Sequence, residues 1–160
     1  MRILTLGAAA LGLSTASVQA QHARDAAAVA YCPELKEIVT LALTKEKFAA
    51  IVGRPRDGNF LDTTRPLMGW KDCSLYGTRT YVCDFRSFGS AEEAAKAQAA
   101  IVNDIKACLG EGWQEDDDRS SSTYAVVRSS RVPVSMTVAT NVEGTDGHVV
   151  RLTLFLRAGG

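Results

Sequence analysis

The sequence predicts an α+β fold: an antiparallel sheet of about five to six strands with two or three helices packed on one face. Three observations carry this expectation. Residues 70–85 read as two alternating strands about a short glycine turn. Residues 90–110 have helical spacing with a start signal and a stop signal. Beyond Gly112, three segments alternate apolar and polar residues with many β-branched side chains. The element order is helix, hairpin, helix, strands.

The first 20 residues are read as standing outside that fold. Met1-Arg2 is a charged start, the run from Ile3 to Leu13 is apolar, and Val18-Gln19-Ala20 closes a small, polar stretch. This is the pattern of a signal peptide cleaved after Ala20, which implies export to the periplasm or beyond. The apolar run falls short of the ~20 residues a membrane span needs, so no stable membrane insertion is expected after cleavage. Residues 21–31, rich in alanine and without an anchoring pattern, are expected to be a flexible lead-in, and 32–160 a single domain. Taking 20 of the 160 residues away leaves 140, and the loss of Arg2 turns a balance of 18 basic against 18 acidic residues into −1. Such a balance excludes a dedicated nucleic-acid binder. A hydrophobic content of 46% excludes disorder.

All four cysteines lie in the mature part, and an even number fits disulfides in an oxidising compartment. Zinc is the competing use, but no C-x-x-C pair exists and the histidines stand only at 22 and 148, so no metal site is expected. Gly77-Thr78-Arg79 is a three-residue turn, which sets Cys73 opposite Cys83. Leu75, Tyr81 and Phe85 then share their face, with Asp72, Ser74 and Asp84 on the other. The expected pairs are therefore Cys73–Cys83 across the hairpin and Cys32–Cys108 between two helix ends.

The first helix starts at Cys32-Pro33, with proline at a favoured first position. Leu35, Ile38, Val39 and Ala42 keep helical spacing, and Phe48, Ile51 and Val52 renew it after a slip near Leu43-Thr44. One kinked helix or two short ones would fit, ended by Gly53 and Pro55. Residues 54–69 read as a long connection, and long connections without structure of their own are often functional. The second helix has a capping box, Ser90 with Glu93, a stripe of Ala94, Ala97, Ile101, Ile105 and Cys108, and Gly110 at its end. Strands are expected over Thr123–Arg128, Val132–Thr140 and His148–Arg157. Pro133 suggests an edge strand or a bulge.

Gly69-Trp70 and Thr80-Tyr81 return 43 residues later as Gly112-Trp113 and Thr123-Tyr124. This echo suggests two helix-plus-hairpin units with the tryptophans in equivalent places, and short strands at 113–118 and 122–128.

The string LMGWKDCSLYGTRTYVCDF, with a later helix ending CLGEGW, resembles small exported four-cysteine proteins of Gram-negative bacteria that carry no assigned function. The shared framework is cysteine and tryptophan rather than chemistry. The helix-then-strands organisation is also similar in topology to beta-lactamase-inhibitor-protein-like folds, which repeat such units and bind partners on a sheet. Topology carries no binding residue over to this chain.

Catalytic motifs are missing from the sequence: no G-x-S-x-G, no H-E-x-x-H, and no phosphate loop ending in Lys-Ser/Thr. No cofactor is expected. His148 opens a strand without a nucleophile context. Glu115-Asp116-Asp117-Asp118 fails the EF-hand pattern at Ser121 and Val127, and reads as a solvated acidic turn. Trp70 and Trp113 read either as covers for the junction of helix and sheet or as anchors for a protein partner. Phe155, opposite in phase to Leu154 and Leu156, is expected to point outward. Arg54, Arg56 and Arg65 would meet an acidic partner or pair locally with Asp57 and Asp62.

The sequence therefore favours a non-enzymatic binding, adaptor or inhibitor module acting on a protein partner in the envelope, of unspecified oligomeric state. Its candidate partner-binding residues are Trp70, Trp113, Phe155, Arg54, Arg56 and Arg65. The alternatives are a small exported hydrolase using paired carboxylates from Asp62, Asp72 or 115–118, and an envelope structural protein.

Overall fold

A computed structural model describes residues 29–145 and 147–157. The expected signal peptide and most of the expected lead-in, with His22, lie outside these residues. Helix α1 spans Cys32–Ala42 and is followed by a 3-10 helix at Lys47–Ile51. Then come strands β1 (Val52–Pro55), β2 (Phe60–Thr63), β3 (Asp72–Tyr76) and β4 (Thr80–Phe88). Helix α2 spans Ala91–Leu109. The chain finishes with β5 (Trp113–Glu115), a 3-10 turn at Asp117–Arg119, β6 (Tyr124–Ser129), β7 (Val134–Glu143) and β8 (Gly147–Leu156). The α+β class and the antiparallel sheet agree with the sequence reading, but the sheet has eight strands rather than five to six.

Of the two additional strands, β2 comes from the connection read as structureless, and β1 straddles the expected end of the first helix, at Val52-Gly53, and the start of that connection. Each has only four residues, and Arg54, Pro55 and Asp62 interrupt any apolar alternation. Pairing in sequence makes them strands: β2 lies on β3, with Leu61 opposite Leu75 and Asp62 opposite Ser74, and β1 lies on β2, with Val52 opposite Thr63. At Gly53 a Cβ would come within 2.8 Å of the Asp62 Cβ, so the β1–β2 approach depends on a residue without a side chain.

Strand order is β1-β2-β3-β4-β8-β7-β6-β5. Each helix is thus followed by a four-stranded meander, and the two meanders join antiparallel along their last strands, with Cys83 opposite Leu152 and Tyr81 opposite Leu154. The doubling is real in topology, but the 43-residue echo does not mark it. Trp70 precedes the third strand of its meander, whereas Trp113 opens the first strand of the second. The two tryptophans therefore hold unrelated places, and the matched dipeptides belong to non-equivalent strands.

The core lies between the helices and one sheet face. Leu35 and Ile38 of α1 and Ile101 and Ile105 of α2 meet Leu75, Tyr81, Val127, Met136, Val138, Leu152 and Leu154, all essentially buried. Burying a side chain of this size contributes ~1.5–3 kcal/mol. Helix α2 begins as its sequence dictates: Ser90 Oγ accepts from the Glu93 amide at 3.2 Å, and Gly110 takes φ +75° at the end. The apolar slip after Ala42 separates α1 from the 3-10 helix. Tyr31, assigned by sequence to the lead-in, is buried instead and donates its hydroxyl to Asp104 at 3.3 Å. Pro133 lies just outside β7, an interior strand, and its carbonyl accepts from the Arg157 amide at 2.8 Å. It marks a strand start, not an edge.

Both disulfides form as paired from the sequence, Cys73–Cys83 directly cross-strand and Cys32–Cys108 across 76 positions. They fit an oxidising, extracytoplasmic compartment. Among the described residues no helix is long and apolar enough to cross a membrane.

Candidate functional site

With both helices on one side, the other face of the sheet is left open. Register assigns its rows. Phe60, Tyr76, Thr80, Phe155, Ser135 and Arg128 lie side by side along one row. Asp62, Ser74, Val82, Thr153 and Thr137 form the next, and Asp72, Asp84, Arg151 and Ala139 the third. Period-two alternation produces this division, because Leu75, Tyr81 and Leu154 occupy the buried face between them.

The charged rows are internally neutralised. Arg56 Nη1 and Nη2 donate to the two Asp72 oxygens at 3.0 and 2.8 Å, and its Nε donates to Asp62. Arg151 grips Asp84 in the same forked way, at 2.7 and 2.9 Å. Lys71 Nζ reaches Glu143 at 3.0 Å, and Ser87 donates to the same carboxylate. The hydrogen bonds from Arg56 hold the Asp72 carboxyl below the usual carboxylate range. Hydrogen bonds from Ser87 and Lys71 do the same for Glu143. Arg56, Asp57, Phe60, Asp72, Asp84 and Arg151 rim a shallow basin of about 440 Å³.

The aromatic row is the apolar part of this face. Phe60 and Tyr76 meet edge to face at 5.3 Å and remain 38% and 48% exposed. Phe155 lies on the same row, beyond Thr80, and is partly buried. Both Phe60 and Tyr76 were missed from sequence. Phe60 fell in the connection taken as a loop, and the exposure of Tyr76 follows from its phase opposite Leu75, a signal the hairpin alternation already contained.

The other sequence candidates are placed differently. Trp70 is 8% exposed and packs edge to face on Tyr31 and Phe85, at 5.5 and 5.2 Å. Its outward reading is therefore corrected: it is a core residue, one that closes the junction of α1 and β4. Trp113 pairs with Ser129 on the helix-covered face and is partly buried against the core, so it too is off the open face. Arg54 is almost fully exposed, 3.7 Å from Asp62. Arg65 pairs with Glu37 of α1 at 3.1 Å, away from Asp57 and Asp62. The structure thus brings Phe155, Arg54 and Arg56 to the open sheet and leaves Trp70, Trp113 and Arg65 elsewhere.

The acidic run is not uniformly solvated. Asp116 is buried, with Arg128 Nη1 at 3.1 Å and Arg119 Nε at 3.6 Å. The Arg128 contact is charge to charge rather than an aligned hydrogen bond. Asp117 and Asp118 stay exposed. Asp104 lies apart from these acids. Its carboxyl is pushed up chiefly by desolvation, and Tyr31 partly offsets this by donating to it. No grouping of metal-binding side chains occurs among the described residues. No protein-family model matches the chain, and no curated protein or solved structure matches it either.

Proposed function

We propose that this is an exported, periplasmic binding module, an adaptor or inhibitor that holds a protein partner in the cell envelope on the open face of its sheet. The observation that carries the reading is the combination on that face of a row of outward aromatics, Phe60, Tyr76 and Phe155, with charges already neutralised by one another. Aromatic anchors with a satisfied polar surround are the usual composition of a protein-binding patch. The doubled helix-plus-meander layout is in keeping with the topological resemblance to inhibitor proteins that use a sheet in this way. The signal-like start and the two disulfides support the envelope as its compartment.

A hydrolase using paired carboxylates has less support. Asp72 and Asp84 are neighbours, but a general acid must keep its proton, and Arg56 acts in the opposite direction on Asp72.

The test is capture from envelope extract by the purified mature protein, in parallel with a triple variant carrying Phe60→Ser, Tyr76→Ser and Phe155→Ser. A stoichiometric protein retained by the wild type and lost by the variant, at unchanged thermal stability, is the expected result. Equal retention by both proteins would move the binding surface off the sheet.

A further inference from the structure

The end of the sheet beside Phe60 and Tyr76 has a chemistry of its own. The β1–β2 loop and the β3–β4 turn enclose a largely apolar basin of about 630 Å³, walled by Pro55, Phe60, Leu61 and Tyr76. One charged side chain lines it, Arg79 at the tip of the turn. Among the described residues Arg79 has no ion pair, unlike Arg56, which is held by Asp62 and Asp72, and Arg151, which is held by Asp84. Tyr76 Oη accepts from Asn59 Nδ2 at 3.4 Å, and no acceptor among the described residues takes its own proton. A hydroxyl has one proton to donate, and a guanidinium has five. Two free donors therefore border an apolar recess that contains no counter-charge.

We infer that this basin receives an acidic, aromatic segment of the partner polypeptide, the apolar side chain packing against the Phe60–Tyr76 pair and an adjacent carboxylate meeting Arg79 and the Tyr76 hydroxyl. Charge complementarity selects this occupant. A basic segment would face Arg79 alone, and a purely apolar one would leave both donors without a protein acceptor. A forked guanidinium–carboxylate contact gives direction as well as attraction. The inference rests on the sheet face being the docking surface and adds the chemistry of what docks there.

The probes are N-acetyl-phenylalanyl-aspartate amide and its asparagine analogue, titrated into isotope-labelled mature protein and followed by amide NMR shifts. The aspartate peptide should shift the resonances of residues 58–61 and 76–80. The asparagine peptide should bind about tenfold more weakly, as expected for loss of one charge-assisted contact. Arg79→Gln, on an exposed turn, should abolish the difference between the peptides without changing the melting temperature. Equal binding of the two peptides, shifts elsewhere, or no binding would overturn the inference. So would tighter binding of N-acetylphenylalanine, which would assign the basin to small aromatic acids. Shifts of the same resonances on concentrating the protein alone would assign it to a second copy, with the same consequence. If the peptides fail while the triple variant still loses its captured partner, the sheet-face reading stands and only the acidic-aromatic chemistry falls.

Discussion

Asp72 and Asp84 stand directly opposite one another on β3 and β4, and each is gripped by a different arginine. Like charges in directly opposed cross-strand positions are destabilising. Here Arg56 reaches in from the β1–β2 loop and Arg151 from β8, so repulsion becomes a link across four strands. Arg151→Gln should therefore cost more than a surface ion pair alone, about 1 kcal/mol. Adding Asp84→Asn to it should recover part of that loss. A double-mutant cycle by urea denaturation measures the coupling, and strict additivity would contradict the link.

Two carboxyl groups should give opposite pH responses. Arg56 depresses the Asp72 pKa, so its contribution to stability is present above the unfolded value, about 3.9, and is lost as pH falls through the lower folded value. Asp104 is raised by desolvation, so its contribution is complete below the unfolded value and is lost as pH rises through the folded one. Asp72→Asn should lower the melting temperature at neutral pH. Asp104→Asn should raise it there, and should have little effect below about pH 3, where the wild-type carboxyl is already protonated.

The two disulfides should differ in weight. Cys32–Cys108 closes a loop of 76 positions and Cys73–Cys83 one of 10. By loop-closure entropy the first contributes about 4.5 kcal/mol and the second about 2.7. Paired Cys→Ala replacement at 32 and 108 should lower the denaturation midpoint more than replacement at 73 and 83. The reverse order would mean that the hairpin tie acts through the native state.

Tyr81 is fully buried and donates its hydroxyl to the Arg65 carbonyl at 2.7 Å, which pins the β2–β3 connection onto the core. Burial pushes its phenol up, so it remains a donor throughout the working range. Tyr81→Phe removes this part-buried hydrogen bond and should cost ~1 kcal/mol. Hydrogen exchange should speed up at 64–70 more than in β6 or β7.

The parts of this fold that were legible in sequence are those whose local pattern and tertiary role coincide. The 77–79 turn sets strand register by itself, so Cys73 could be matched to Cys83. Ser90, Glu93 and Gly110 bound α2 through contacts within a few residues. What escaped depends on neighbours distant in sequence. Strand β2 exists because β3 supplies its hydrogen bonds, and β1 because β2 then does the same for it; nothing in Arg54, Pro55 or Asp62 announces it. The open-face aromatics were half legible: Phe155 was read from its phase, Phe60 was hidden inside a supposed loop. Trp70 could have been outward or inward by sequence, and the neighbouring rings of Tyr31 and Phe85 decide it.

The Cys32–Cys108 bridge has one more consequence. Any peptide bond broken between those positions, including the exposed stretch around Gly58, leaves two pieces that are still one covalent molecule. The two meanders are also zipped together along β4 and β8. A chain nicked around Gly58 by a protease would keep both its halves joined, and only reduction of that bridge would let them part.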